Sequence, residues 1–265
     1  MNQIPVIDKK KCTVCGRCVA ICPKEVLYIE NREVKLNNNE CMLCSHCYDV
    51  CKFNAVSFNN TLKNLKFSTF KYKEKLIDSK EISPALLVNI FRSRRSIRRF
   101  KEEEISDDIV RDLIEFAVTA PSGSNCQEWE FTVINGRAKV WEFATRIREF
   151  FIRINKLAAN PVIRYLSVPF MGRTLLNYYR DHYETVKMAI EESEKGRDLL
   201  FHGAPCVILV HSPMDGSTPV EDGTYAAYNI CMLAHYMNLG TCLIGFAVEA
   251  LNRSPEIKEE LDIFG

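Results

Sequence analysis

The apolar positions of the chain change their rhythm near residues 58 and 83. Up to residue 58 they come as short pieces, VLYI at 26–29 and AVSF at 55–58, set among cysteines and polar residues. Such pieces predict short strands and supply little conventional core. Residues 59–83, NNTLKNLKFSTFKYKEKLIDSKEIS, are lysine-rich and weakly periodic. That predicts a linker or surface-crossing segment, with Leu62, Leu65, Phe67 and Phe70 as candidate docking residues. From Ser83 the period becomes helical. Ser83 caps, and Pro84 opens, a helix carrying Leu86, Leu87 and Ile90. Ser106 caps a second, with Asp107 and Asp108 in its first turn and Ile109, Val110, Leu113, Ile114 and Ala117 along one face. It stops near Ala120, before Pro121.

EFTVIN (130–135), CVILV (206–210) and TCLIGF (241–246) read as strands. Residues 137–200 read as mostly helical, broken at Pro161 and Pro169, and 222–238 as a largely buried helix. Many helices with few strands predict an α+β unit around a central sheet. The division expected is 1–59, a linker over 60–83, and 84–265.

Composition narrows the function classes. A chain of 265 residues with 26% charged and 47% hydrophobic residues is an ordinary soluble globular sequence. Lys and Arg total 35 against 34 Asp and Glu. That near-neutral balance argues against nucleic acid as a partner. The five arginines within residues 92–99 are therefore a local feature. No run approaches the ~20 apolar residues of a membrane span. Charge arrives by Asp8, so a signal-peptide core is missing and a cytoplasmic protein is expected. Twelve cysteines in that compartment point to metal ligation or catalysis, not disulfides.

Eight of those cysteines form two runs, CTVCGRCVAIC and CMLCSHCYDVC, each with the spacing C-x2-C-x2-C-x3-C. One constant offset of 29 residues maps Cys12, Cys15, Cys18 and Cys22 onto Cys41, Cys44, Cys47 and Cys51. Three closely spaced cysteines wrap three irons of a cubane, and the fourth iron takes a distant ligand. In the bacterial two-cluster arrangement the last cysteine of each run serves the other cluster. The assignment is Cys12, Cys15, Cys18 and Cys51 to one [4Fe–4S] cluster, and Cys41, Cys44, Cys47 and Cys22 to the second. Structural zinc does not predict a duplicated four-cysteine run. The segment resembles a bacterial-type two-cluster ferredoxin, although Lys52 stands where the usual proline follows the last cysteine. His46 reads as a surface residue near a cluster. Cys126, Cys206, Cys231 and Cys242 read as small buried hydrophobes, and Phe170, Tyr178 and Tyr179 as core.

The arginine cluster RRSIRRF (94–100), then APSGSNCQEW (120–129), then LGTCLIGF (239–246), resemble in order and spacing the FMN-dependent nitroreductase family. The likeness covers roughly 84–265, and the joined architecture resembles ferredoxin–nitroreductase fusions. It implies a homodimeric α+β fold with a central, mainly antiparallel sheet and FMN at the subunit interface. By the same resemblance, Arg94, Arg95 and Ser96 hold the phosphate and ribityl chain, and Arg98 the pyrimidine edge. Arginine's planar, permanently charged fork suits a phosphate dianion. Arg99 would point away. Ser122, Gly123, Asn125 and Gln127 would lie against the flavin, and Ile244 and Gly245 would face its ring. The family usually has proline where this chain has Glu128, and commonly adds a further basic residue beyond the equivalent of ELDIFG. The implied function is an iron–sulfur flavoprotein. An external donor, ferredoxin or an NAD(P)H-linked reductase, would supply electrons through both clusters to FMN, and FMN would reduce a small nitroaromatic, quinone or conjugated alkene. The alternative is an electron-transfer protein with no small-molecule substrate.

Overall fold

The computed structural model describes residues 4–58, 65–73 and 81–263. Residues 4–58 are two copies of one cysteine-loop unit. Strand β1 (Pro5–Ile7) pairs antiparallel with β4 (Val56–Phe58), and β2 (Leu27–Glu30) with β3 (Glu33–Leu36). The strands expected near 26–29 and 55–58 are present. Their partners β1 and β3 are three and four residues long, too short for alternation to show. Helices α1 (Arg17–Ile21) and α2 (His46–Asp49) close the two loops.

The 29-residue offset reappears in the backbone. φ is positive at Val14 and Leu43, at Gly16 and Ser45, and at Glu25 and Asn54. Glycine adopts that region freely, whereas Val14 and Leu43 are held there against strong steric preference. Leu27, Val34 and Val56 pack with Cys18 and Cys47 as the small core. So few apolar side chains do not hold a fold of this size unaided, and bound metal commonly supplies the rest.

The segment read as a linker is docked over its described part. Phe67 stacks on Phe70 with ring centroids 4.5 Å apart, and Tyr72 meets Phe67 edge-on at 5.3 Å. Its backbone is tied to helix α4 (Asp107–Ala117). Lys66 N–H donates to Glu115 (3.1 Å), and the N–H groups of Ser68 and Thr69 donate to Asp112, both at 2.7 Å. The Thr69 hydroxyl donates to Asp112 as well. Leu62 lies outside the described residues. Asp112, only 1% exposed, is therefore the anchor, an acidic residue on the buried face of an otherwise amphipathic helix. Burial alone would raise its pKa, but the three donors outweigh that and hold it below the ordinary value. A depressed folded-state pKa contributes stability above the unfolded value that is lost as pH falls. Asp112→Ala is expected to lower stability by about 2 kcal/mol at neutral pH. In denaturant unfolding, the gap from the unsubstituted chain should shrink as pH falls below about 4.

The second unit is three layers. β5 (Glu130–Asn135) pairs antiparallel with β6 (Cys206–His211), Glu130 opposite His211 and Asn135 opposite Cys206. Alternation sends Val207 and Leu209 to one face and Ile208 and Val210 to the other. The first face meets α5 (Arg137–Ala159), whose Val140, Phe143, Ala144, Ile147, Phe150 and Phe151 follow helical spacing. The second face meets α4 and α10 (Pro219–Tyr236), where Ala117, Ala226 and Ala234 are fully buried. Alanines there let the two helices approach closely. Among the described residues the sheet is this pair alone, so the expected central antiparallel sheet is minimal.

Between α5 and β6 the expected helical stretch is four helices. They are α6 (Pro161–Leu166), α7 (Val168–Met171), α8 (Thr174–Asp181) and α9 (Tyr183–Glu194). Pro161 opens α6 behind its Asn160 cap, and Pro169 sits at the start of α7. Tyr178 is core, its hydroxyl donating to Asn155 at 2.7 Å, but Phe170 is 88% exposed and Tyr179 39%. The core reading of those two side chains is corrected.

One element differs in kind. TCLIGF is not a strand. Thr241 alone bridges to Ser96, and helix α11 (Gly245–Arg253) begins within the stretch. Ala247, Ala250 and Leu251 give α11 a buried face at helical spacing, and an apolar run of six cannot reveal that. Helix α12 (Pro255–Glu260) follows. Helix α3 (Pro84–Ser93) is capped by Ser83 as expected, which accepts from Leu86 N–H at 3.1 Å. Yet α3 buries none of its residues: Leu86 is 51% and Phe91 48% exposed.

Candidate functional site

Two cavities lie in the cysteine unit. The first is lined by Cys12, Cys15, Cys18 and Cys51, the second by Cys22, Cys41, Cys44 and Cys47. Each run thus sends its fourth cysteine across to the other cavity, and α1 and α2, which follow the two loops, pack together. Among the described residues no three His, Cys, Asp or Glu side chains converge tightly enough for a single metal ion. Four thiols around one cavity are the ligand set of a [4Fe–4S] cluster.

Burial pushes the Cys47 thiol up to about 11, with the neighbouring Cys41 thiolate adding to it. Burial also raises Cys18, whereas the Arg17 N–H lowers the exposed Cys15. Holding four thiolates together is unfavourable until a cation shares them. The N–H of Val26 donates to Cys22 Sγ and that of Ala55 to Cys51 Sγ, both at 3.3 Å. Such bonds to cluster sulfurs are one of the ways proteins set cluster potentials. His46 is exposed at the rim of the second cavity.

In the second unit, the first and third motifs are brought together. Ile97 N–H donates to Thr241 O at 2.9 Å, beside the Ser96–Thr241 bridge. Gly240 permits this contact, since a Cβ there would stand 2.9 Å from the Ile97 Cβ. Arg94 is half-buried; Ser96, Arg98 and Arg99 are exposed. Arg95 turns back on its own chain and donates to the carbonyls of Arg92 and Arg94. Ile244 precedes α11 and Gly245 opens it, with open space where a Gly245 side chain would stand.

The middle motif is a strained loop pinned from behind. φ is positive at Ser124, Asn125 and Gln127. Asp222 of α10, 3% exposed, accepts from Gly123 N–H (3.0 Å), Thr218 Oγ1 (2.8 Å) and Cys126 Sγ (3.4 Å). Trp129 Nε1–H donates to the Asp222 carbonyl at 3.0 Å, and Ser122 Oγ accepts from Gln127 N–H at 3.0 Å. A Cβ on Gly123 would collide with Thr218 Oγ1. Asn125 Nδ2 donates to the carbonyls of Met42 (3.1 Å) and Leu43 (3.3 Å), inside the second cysteine loop. Among the described residues no hydrogen bond or ion pair joins 122–127 to 94–98. Sequence reasoning missed Asp222, Thr218 and Thr241. An acidic residue within a helix read as largely buried was the available signal for Asp222.

A two-cavity cysteine unit followed by a three-layer α+β unit is the architecture of an iron–sulfur protein with a second domain. Residues 91–263 match the nitroreductase family, and residues 4–52 match the 4Fe-4S dicluster domain. The chain belongs to the nitroreductase family and carries a [4Fe–4S] dicluster domain in front of it. Nitroreductase NfnB of Mycolicibacterium smegmatis is 36% identical over 159 residues, 55% of this chain and 65% of that protein. Ketoisovalerate oxidoreductase subunit VorC of Methanothermobacter marburgensis is 35% identical over 60 residues, 20% of this chain and 76% of that subunit. The RNA polymerase subunit Rpo3 of Methanosarcina mazei is 36% identical over 58 residues, 21% of this chain. The chain spans about a fifth of that relative's length, 22%. Among solved structures, the FMN-bound nitroreductase of Bacteroides fragilis aligns at TM-score 0.47 and 17% identity, over 66% of this chain and 78% of that one.

Proposed function

We propose that the chain is an iron–sulfur flavoprotein oxidoreductase that takes electrons from an external donor and reduces a small organic acceptor. The observation that carries this reading is the pairing, in one chain, of two four-thiol cavities with the nitroreductase motifs. When bound, the clusters accept electrons singly and FMN delivers them in pairs. The protein's own residues bind and orient. Cys12, Cys15, Cys18 and Cys51 hold one cluster, and Cys22, Cys41, Cys44 and Cys47 the other. Arg94 and Arg98, with Ser96, Ser122, Gly123, Gln127, Ile244 and Gly245, form the FMN site, and Arg95 joins them by releasing its own backbone. The donor is a ferredoxin or an NAD(P)H-linked reductase, and the acceptor a nitroaromatic, quinone or conjugated alkene. A reducing, cytoplasmic compartment suits twelve unpaired thiols. Among the described residues no helix is long and apolar enough to cross a membrane.

The working form is a homodimer. The apolar face of α3, with Leu86, Leu87 and Phe91, supports an interface there. Flavin bound between subunits would also account for motifs that do not meet within one chain.

Turnover tests the reading: chain loaded with iron and FMN, given reduced ferredoxin, should reduce members of an acceptor panel. Reaction with protein acceptors alone would favour the electron-shuttle alternative. Arg98→Ala is expected to weaken FMN binding about tenfold or more, the worth of a lost charge-assisted hydrogen bond. Arg99→Ala should leave it unchanged, both variants being read by flavin fluorescence titration.

A further inference from the structure

We propose that Asn125 is a latch that holds the second cysteine loop against the flavin segment. It makes the cavity of Cys22, Cys41, Cys44 and Cys47 the inner one, and the cavity of Cys12, Cys15, Cys18 and Cys51 the donor-facing one. This rests on the reading that FMN and two clusters occupy the chain.

The geometry is specific. The Asn125 amide nitrogen has two hydrogens, and two carbonyls receive them, Met42 O at 3.1 Å and Leu43 O at 3.3 Å. Both carbonyls lie between Cys41 and Cys44, and Met42 lines the second cavity. The orientation of the amide is fixed from its other end, where Gln127 Nε2–H donates to Asn125 Oδ1 at 3.1 Å. A flipped amide would set its oxygen against two carbonyl oxygens. The backbone is left-handed at both Asn125 and Gln127, and Asp222 holds the same loop through Gly123 N–H.

The first cavity has the opposite character. Cys15 is exposed, and Phe53, 49% exposed, stands with Arg17 at its rim. Among the described residues, no hydrogen bond links its lining to residues 65–263. It is open to a protein donor, while the second cavity is tied to the motif loop. Asn125 is thus a positioning residue, not a catalytic one, which sharpens its expected placement against the flavin.

The test uses the full chain purified without oxygen, with iron and FMN quantified. Reduced ferredoxin is mixed in, two equivalents per FMN beyond those the clusters take, and cluster and flavin absorbance are followed separately per bound group. In Asn125→Ala, cluster bleaching should keep its rate while flavin bleaching slows about tenfold, the loss expected when two hydrogen bonds to the loop are removed. Asn125→Asp should be slower still, because its carboxylate faces the two carbonyls. Asn125→Gln, which keeps the donor, should recover part of the rate and so separates a lost latch from a misfolded loop. Deuterium uptake should rise in the peptide around 41–47 in the Ala and Asp variants and stay unchanged around 12–18. Flavin bleaching at the unsubstituted rate in all three variants, or equal uptake in both cysteine loops, would overturn the latch. A chain that binds neither iron nor FMN would overturn the underlying reading instead.

Discussion

Cys22→Ala/Cys51→Ala is expected to lose nearly all its iron, whereas Cys12→Ala/Cys51→Ala should keep about half of the roughly eight irons of the intact chain. The two double variants remove the same number of thiols. They differ in where those thiols point. Cys12 and Cys51 line one cavity, so removing both damages one cluster; Cys22 and Cys51 line different cavities, so removing both damages each. Because the cysteine unit has a small apolar core, losing both clusters should also unfold residues 4–58, read as a rise in protease sensitivity. Iron analysis of the two proteins, purified side by side without oxygen, is the measurement. Equal iron in the two variants would mean that each run feeds its own cluster.

The second large effect belongs to Asp222. Asp222→Ala leaves the Gly123 N–H, the Thr218 hydroxyl and the Cys126 thiol without their acceptor. Stranding partly buried donors costs about 2–3 kcal/mol in total. The loop it releases carries Ser122, Gly123, Asn125 and Gln127, with three residues in left-handed conformations that relax once unpinned. FMN affinity should therefore fall by about tenfold or more, beyond what the stability loss alone produces. Asp222→Asn keeps one acceptor oxygen and should sit between the two. Denaturant unfolding and flavin titration on the same samples separate the contributions. Full FMN affinity in Asp222→Ala would remove Asp222 from the site.

The cysteine unit was legible because its chemistry is written at fixed spacing. Eight thiols at one repeated interval marked the two runs, and the bacterial two-cluster arrangement they resemble supplied the exchange of fourth cysteines. The helices from Pro84 and Asp107 were legible through their Ser83 and Ser106 caps. Two things were not. Residues 241–246 are apolar enough for strand or helix, and the decision fell to the distant Ser96 and to the core that receives Ala247 and Leu251. Asp112 and Asp222 act through groups 43 and 99 residues away, a separation that no local pattern encodes. The contact of Asn125 with Met42 and Leu43 is of the same kind, and it joins two units that the sequence presents as separate.

The most direct test of the central claim, a flavin supplied by two clusters in one chain, is an anaerobic reductive titration of the loaded protein. Complete bleaching should consume about four electrons per chain, one for each cluster and two for FMN. An endpoint near two electrons, or flavin that stays oxidised while the clusters bleach, would contradict it.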